Sequence, residues 1–448
     1  MVRDRTLWST ISWCGKSDYL LLDTKYDMVI EYLNRSAEAP LSVRYDFTGL
    51  ETLEEEGDWH LDKLYPIIPH SLHRCKELQI YCDAKNSLGP MLEYLQDGAA
   101  PVLESLTICT QESPSADADA VLCQWMPSIF LDGAPQLRYL RLDLSAIPHF
   151  LPPIDSLVHL RLEDLGYRTN TRFDEATLNY ILTLPSLETL SISGFAFNIP
   201  LAVLQVSGTP GKRPYAWARS LKHLRLSNAS CSRNACTLTR YLLSRVSAPL
   251  LETFILHGIM LDDILPTHAM PDYYFPSLQT LHLLNYTADA AVGSTIPFLG
   301  VLASLTRTIS TLCLVEESEA AEPPRSVLEN VMAIQSDLSV VHKRREGYWP
   351  NLEVIKVWHR SLFHPLNGLV VYERMLATWP RLKSFSGPSL HVHQIMKRLK
   401  QATQARGEGK MKRIELECAK APFVLPWPPG YDVDEADRQW YSTRAENR

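Results

Sequence analysis

This chain of 448 residues lacks the marks of several large functional classes. No G-x-S-x-G elbow, P-loop or dinucleotide-binding glycine pattern occurs, which argues against the common nucleophile and nucleotide sites. No uninterrupted apolar run approaches the roughly 20 residues needed to span a bilayer. No hydrophobic leader follows Met1, so a soluble protein of the cytoplasm or nucleus, with no membrane partner, is expected. A basic excess is also missing: 44 Lys and Arg stand against 51 Asp and Glu, for a formal charge of −7. Nucleic acid is therefore not expected as a partner, because phosphate neutralisation needs clustered positive charge. The nine cysteines are odd in number and scattered. Cys231 and Cys236 form C-x4-C with no second pair, neither a zinc ribbon nor a thioredoxin-like motif. Cys109 and Cys313 fall on or beside predicted strands, where a reduced thiol packs as a small hydrophobe, and a reducing compartment fits. The N-x-S/T triplets at Asn34, Asn228 and Asn285 then read as chance.

What the chain does have is a repeated phrase: a proline, a residue, then L-x-x-L-x-L. It reads PQLRYLRL from Pro135, PSLETLSI from Pro185, PLLETFIL from Pro249, PSLQTLHL from Pro276 and PNLEVIKV from Pro350, with PVLESLTI from Pro101 and a truncated PRLKSF from Pro380. Self-similarity at a period of about thirty residues signals a stacked solenoid. Units begin at Cys75, Leu103, Leu137, Leu157, Leu187, Leu221, Leu251, Leu278, Ile309, Leu352, Leu382 and Met411. Such a chain grows by adding units and escapes the size limit of a single core, so one elongated domain is expected.

Within each unit the fourth and sixth positions alternate with polar residues, as in a strand with one buried face. Leu140 and Leu142 should point inward, and Tyr139, Arg141 and Asp143 outward. Units of one direction joined by long segments should pair in parallel. The spans 175–184, 237–246 and 371–379 place apolar residues at helical steps, and Pro185, Pro249 and Pro380 should stop those helices. The fold class expected is α/β, an irregular leucine-rich-repeat horseshoe with an inner parallel sheet and outer helices or loops. It is irregular because the Asn or Cys that satisfies the turn in that repeat is replaced by Ser145, Leu165, Phe195, Ala229, Ile259 and Tyr286. Residues 1–70 read as an N-terminal capping region, 71–425 as the solenoid with a loop insertion at about 316–348, and 426–448 as a polar, loosely packed tail.

Two phrases carry a more specific likeness. RTLWSTIS at Arg5–Ser12 and EYLNRSAEAPLSV at Glu31–Val43 resemble the segment that follows the F-box in a group of fungal F-box proteins with irregular leucine-rich repeats. The resemblance implies the substrate-recognition half of a ubiquitin-ligase receptor. An F-box of about forty to fifty residues precedes the LW phrase in that family. Only seven residues stand before Trp8 here, so the ligase adaptor is expected as a partner only if an F-box lies upstream.

No catalytic set is found, and neither an enzyme nor a cofactor is expected. His257, Asp262, Asp263 and His268 fit no metal-ligand spacing, and no metal is expected there. His391 and His393 form an H-x-H best read as two solvated rings. What remains is the outward strand row, which in a curved repeat protein lines the concave face where partners bind. The candidate partner-binding residues on it are Tyr139, Arg141, His159, Arg161, His223, Arg225, His282, Lys356 and Trp358. Arginine beside tyrosine and histidine suits an acidic or phosphorylated protein segment. Against this, Asp143 and Glu163 lie two residues along from Arg141 and Arg161 and would neutralise the row by cross-strand pairing. The function expected is a non-catalytic protein-binding module; the alternative is a stand-alone repeat scaffold or regulator unconnected with ubiquitin.

Overall fold

The computed structural model describes residues 8–14, 22–47, 71–82, 88–110, 121–163, 171–193, 196–199, 216–227, 238–239, 241–243, 245–258, 275–284, 302, 306–316, 349–359, 379, 381–388, 392–393, 396–397, 414–419 and 425–429. The chain divides into two compact units, Met1–Asn198 and Ile199–Arg448.

Each unit is a parallel β-solenoid. In unit 1 the strands β1 (Thr10–Cys14), β2 (Leu41–Phe47), β3 (Cys75–Cys82), β4 (Ser105–Thr110), β6 (Tyr139–Asp143), β7 (His159–Glu163) and β9 (Thr189–Ser193) lie side by side in that order. Between them, β5 (Val121–Cys123) pairs in parallel with β8 (Thr171–Phe173). In unit 2 the order is β11 (His223–Ser227), β13 (Thr253–His257), β14 (Thr280–Leu284), β15 (Thr311–Glu316), β16 (Val354–His359), β17 (Ser384–Pro388) and β18 (Glu415–Ala419). There β10 (Ala216–Trp217) pairs in parallel with β12 (Val246–Ser247).

All twelve sequence units carry a strand of these sheets. The register matches repeat to repeat: Leu140 stands opposite Leu160 and Leu160 opposite Leu190, while Phe254, Leu281, Leu312 and Ile355 form the same column in unit 2. Those side chains are buried to within 1%, at about 2 kcal/mol of hydrophobic stabilisation per leucine. Strands β1 and β2 extend the sheet into the region read as a cap. Their alternation is carried by Ile11, Trp13, Val43, Tyr45 and Phe47, all buried. The helix α1 (Leu22–Ser36) precedes β2, and its Tyr32 ring lies 5.2 Å from that of Trp8, with the Arg35 guanidinium 4.5 Å from the Trp8 ring.

The prolines of the repeat sit in turns. Among the described residues each occupies the second position of a four-residue turn whose last residue is the first leucine of the unit. The turn closes by a backbone bond, as from the Leu137 N–H to the Ala134 carbonyl (3.1 Å), Leu251 to Ala248 (3.1 Å) and Leu352 to Trp349 (3.1 Å). Proline suits that position because its ring fixes φ and no N–H is needed there. The turn survives without it at Ile154–Leu157 and Thr306–Ile309, where Asp155 and Arg307 take the second place. Just past each turn one carbonyl accepts two successive N–H groups from the next coil, as Arg138 does from Val158 and His159, and Gln279 from Ser310 and Thr311. Turn and strand thus suffice to register a coil.

Helices are few among the described residues. Besides α1 there are α2 (Leu88–Gln96) and α3 (Glu175–Leu182), the latter within the expected 175–184. The Asp174 carboxylate caps α3 by accepting from the Thr177 N–H at 2.8 Å, as the N-cap position favours. Residues 238–239, 241–243 and 245 are helical, whereas 371–378 and the insertion beyond Glu316 lie outside the described residues. The far side of unit 1 is instead partly strand, β5 with β8, backed by the Trp125, Phe173 and Phe197 rings at 5.2 and 5.6 Å. No described helix is long and apolar enough to cross a membrane.

Candidate binding face

The residues that alternate with the core leucines form the outward face of each sheet. In unit 1 the middle column runs Ser12, Arg44, Gln79, Thr107, Arg141, Arg161 and Ser191 across neighbouring strands. Pointing outward does not mean exposed. Arg161 and Ser191 are 0% exposed, while Tyr139, Arg141 and His159 are partly buried.

Glu163 organises this region. Its Oε1 accepts from Arg161 Nε (2.8 Å) and lies 2.7 Å from Arg161 Nη2; its Oε2 accepts from Arg141 Nε (2.9 Å) and lies 2.9 Å from Arg141 Nη2. One buried carboxylate thus holds two guanidiniums. Burial, the largest single influence, acts to lower the Arg141 pKa, but Glu163 together with Cys109, Tyr139 and Tyr81 holds it well above the ordinary value. Arg161 Nη1 reaches the Tyr139 hydroxyl at 3.5 Å, and His159 Nδ1 shares a hydrogen bond with Thr189 Oγ1 at 3.0 Å. Arg141 and Arg161 are therefore committed to the protein itself.

Asp143 takes no part in that cluster. It accepts from the Thr110 N–H, Thr110 Oγ1 (3.1 Å), Ser145 Oγ (2.9 Å) and the Ala146 N–H (2.8 Å). Ser145 Oγ also lies 2.6 Å from the Thr110 carbonyl, so its one O–H is shared between that oxygen and Asp143. This network satisfies the turn that the repeat family closes with Asn or Cys; the other substituted positions lie outside the described residues. Burial raises the Asp143 carboxyl to about 6 although its hydrogen bonds pull it down. Between the ordinary 3.8 and about 6 the folded chain holds a proton that the unfolded chain releases. Its contribution to stability is full below that window and falls as pH rises through it, by roughly 3 kcal/mol. The stability of the parent minus that of Asp143→Asn should decline from pH 4 to 6 in denaturant titrations; a flat difference would contradict the raised carboxyl.

The open part of this face lies over β2 and β3. Arg44 is half exposed, its guanidinium 4.8 Å from the Tyr81 ring centroid and 3.4 Å from Asp46 Oδ2. Beside it Gln79 donates to Glu77 (2.7 Å), which also accepts from Ser42 Oγ (2.7 Å). Arg44 and Tyr81 were not among the residues singled out from sequence: Arg44 is on β2, which carries no leucine phrase, and Tyr81 lies two residues beyond the middle column on β3.

In unit 2 the middle outward column reads Arg225, Ile255, His282, Cys313, Lys356 and Ser386. Arg225 and Ile255 are 0% exposed and His282 2%, while His223, Lys356 and Trp358 are partly buried. The third column turns apolar: Leu284, Val315 and Trp358 stand in one row on β14, β15 and β16. Against this row packs Trp427, 2% exposed, in one cluster with Ile255, Leu284 and Val315, flanked by Trp358 and Leu425. The Arg225 guanidinium sits 4.9 Å from the Trp427 ring centroid, and His223 meets the ring edge-on at 6.4 Å. Expected to be loosely packed, the tail instead covers this face at residues 425–429; residues 430–448 lie outside the described residues.

Two histidines are buried here. His257 Nδ1 shares a hydrogen bond with Ser227 Oγ at 3.0 Å, and burial, aided by Arg225, lowers its pKa to about 4. Burial, aided by Lys356, lowers His282 to about 3. Of the set sketched as a metal site only His257 lies among the described residues, and among these no three His, Cys, Asp or Glu side chains converge as metal ligands. His393 is exposed in a short helical stretch, and His391 is outside the described residues. The described cysteines 75, 82, 109, 123, 313 and 418 form no disulfide among the described residues; burial pushes Cys109 and Cys313 up to about 12, which makes them poor nucleophiles. No protein-family model matches the chain, and no curated protein matches it at a significant level.

Proposed function

We propose that the chain is a non-catalytic protein-binding repeat module, a leucine-rich-repeat horseshoe similar to the substrate-recognition part of F-box ubiquitin-ligase receptors. The observation that carries this reading is the outward face: long polar and aromatic side chains stacked in register on neighbouring parallel strands. Such a surface recognises an extended partner through many side chains at once. Arg141 and Arg161 are buried against Glu163, so the basic side chains within reach of an acidic or phosphorylated segment are the half-exposed Arg44, over the Tyr81 ring, in unit 1 and the partly exposed Lys356 in unit 2. Guanidinium and ammonium groups at a partly exposed site bind carboxylate or phosphate without the full penalty of burial.

The test is affinity capture followed by mass spectrometry, comparing the parent chain with Arg44→Glu/Lys356→Glu. Loss of a subset of partners, and loss of the same subset after phosphatase treatment, is expected; an unchanged partner set would remove this face from consideration. The ubiquitin connection is tested separately, by extending the chain with any in-frame upstream codons. Co-purification of the ligase adaptor supports the receptor reading. Partners recovered without the adaptor favour the stand-alone scaffold.

A further inference from the structure

The path of the chain around Trp427 calls for an explanation. After β18, at one end of the strand order of unit 2, a further coil would add its strand beside β18. Instead residues 425–429 return to the outward face, and Trp427 lies over residues of β11, β13, β14 and β15. Most of the middle outward column is polar, but beneath Trp427 the outward residues are Ile255, Leu284 and Val315, each 0% exposed. An apolar floor, a guanidinium over the ring and an imidazole at its edge together suit an indole, whose π face attracts a cation and whose body is apolar. Pro426, Pro428 and Pro429 surround it. Prolines have no N–H to offer a ladder and lose little entropy on ordering, so this segment docks by its side chains, the mode by which proline-rich peptides are recognised.

We propose that the outward face of unit 2 is a docking groove for a tryptophan flanked by prolines, and that residues 425–429 fill it in cis as a tethered ligand which a partner peptide of the same chemistry displaces. This rests on the reading of the outward faces as protein-binding surfaces. The groove is closed while its own segment is seated and opens to a competing peptide. Tethering supplies an effective concentration of the order of millimolar. A peptide with micromolar intrinsic affinity is then held off by about 100-fold or more in the intact chain.

The probe is a fluorescein-labelled peptide of residues 423–430, Phe423 to Gly430, followed by anisotropy with the full chain. Trp427→Ala is expected to bind it with micromolar affinity, the parent chain at least about 100-fold more weakly, and Trp427→Ala/Ile255→Glu not at all. A folded Trp427→Ala chain that ignores the peptide at millimolar concentration overturns the proposal. Should that variant fail to fold, a protease site placed between residues 420 and 424 of the parent chain gives the second measurement. After cleavage, excess unlabelled peptide should release the downstream fragment on gel filtration while the rest stays folded; retention of the fragment, or collapse of the fold, overturns the proposal. Neither assay contains a cellular partner, so a negative result here leaves the capture experiment on Arg44 and Lys356 to decide the broader reading.

Discussion

Glu163→Gln is expected to destabilise unit 1 by roughly 3–5 kcal/mol, the usual cost of removing one partner from a buried ion pair. The carboxylate is 3% exposed, and the guanidiniums it holds are 0% (Arg161) and 12% (Arg141) exposed. Glutamine keeps the shape but not the charge, and its amide nitrogen would face donors. Two neighbouring positive charges would then be held in a poorly solvated place without the negative charge between them. In a unit of about this size the melting midpoint should fall by roughly 10 °C. The exposed pair Lys383 with Glu353, at 2.7 Å with side chains 67% and 36% exposed, is the control: Glu353→Gln should cost no more than about 1 kcal/mol. Urea titrations of both variants decide it. A Glu163→Gln cost below 1 kcal/mol would mean that water screens the cluster.

Acid is expected to weaken unit 2 as pH falls from about 6.5 to 4, through His257 and His282. Both are depressed in the folded chain, to about 4 and about 3, against 6.5 when unfolded. Their contribution is therefore complete above 6.5 and is lost as pH drops through the window, because the unfolded chain takes up protons that the folded chain refuses. At about 1.4 kcal/mol per unit, His257 accounts for roughly 3 kcal/mol and His282 for somewhat more by pH 3. The groups facing them are Ser227 and Arg225 for His257, and Lys356, Ile255 and Cys313 for His282. His282 Nδ1 has no hydrogen-bond partner among the described residues. His282→Leu should thus match or exceed the parent at pH 7 and lose less on acidification. Denaturation from pH 7 to 4 measures this, and a His282 ring that titrates near 6.5 by NMR would refute it. Asp143 in unit 1 works in the opposite sense over part of the same range.

Much of the solenoid was legible because L-x-x-L-x-L states both the alternation and its phase. The fourth and sixth positions reach the core in β6 as in β14, whatever separates them. Strands β1 and β2 escaped the leucine pattern, though not the family likeness in the case of β2, because Ile11, Trp13, Val43, Tyr45 and Phe47 keep the alternation without leucine; LSVRYDF is a period-two strand that a leucine search passes over. The prolines were visible but their place in a turn was not, since a helix stop and the second place of a turn need the same missing N–H. The outward face was the least legible. Alternation tells which way Arg161 and Arg225 point, but their burial depends on Glu163 and on Trp427, contacts set by the fold and not by local period. One signal was available: Leu284, Val315 and Trp358 are apolar at outward positions on three neighbouring strands, and such a row in water demands a cover.

A coil closed by one local turn and one short strand places almost no demand on the stretch that joins it to the next. Twenty residues suffice from Leu137 to Leu157, and forty-three are accommodated from Ile309 to Leu352. Each coil is registered by its neighbours alone, so inserting or trimming a linking stretch disturbs nothing beyond the adjoining pair. Such a chain can diversify by editing its spacers while the leucines remain untouched, a licence that a protein with a single closed interior does not have.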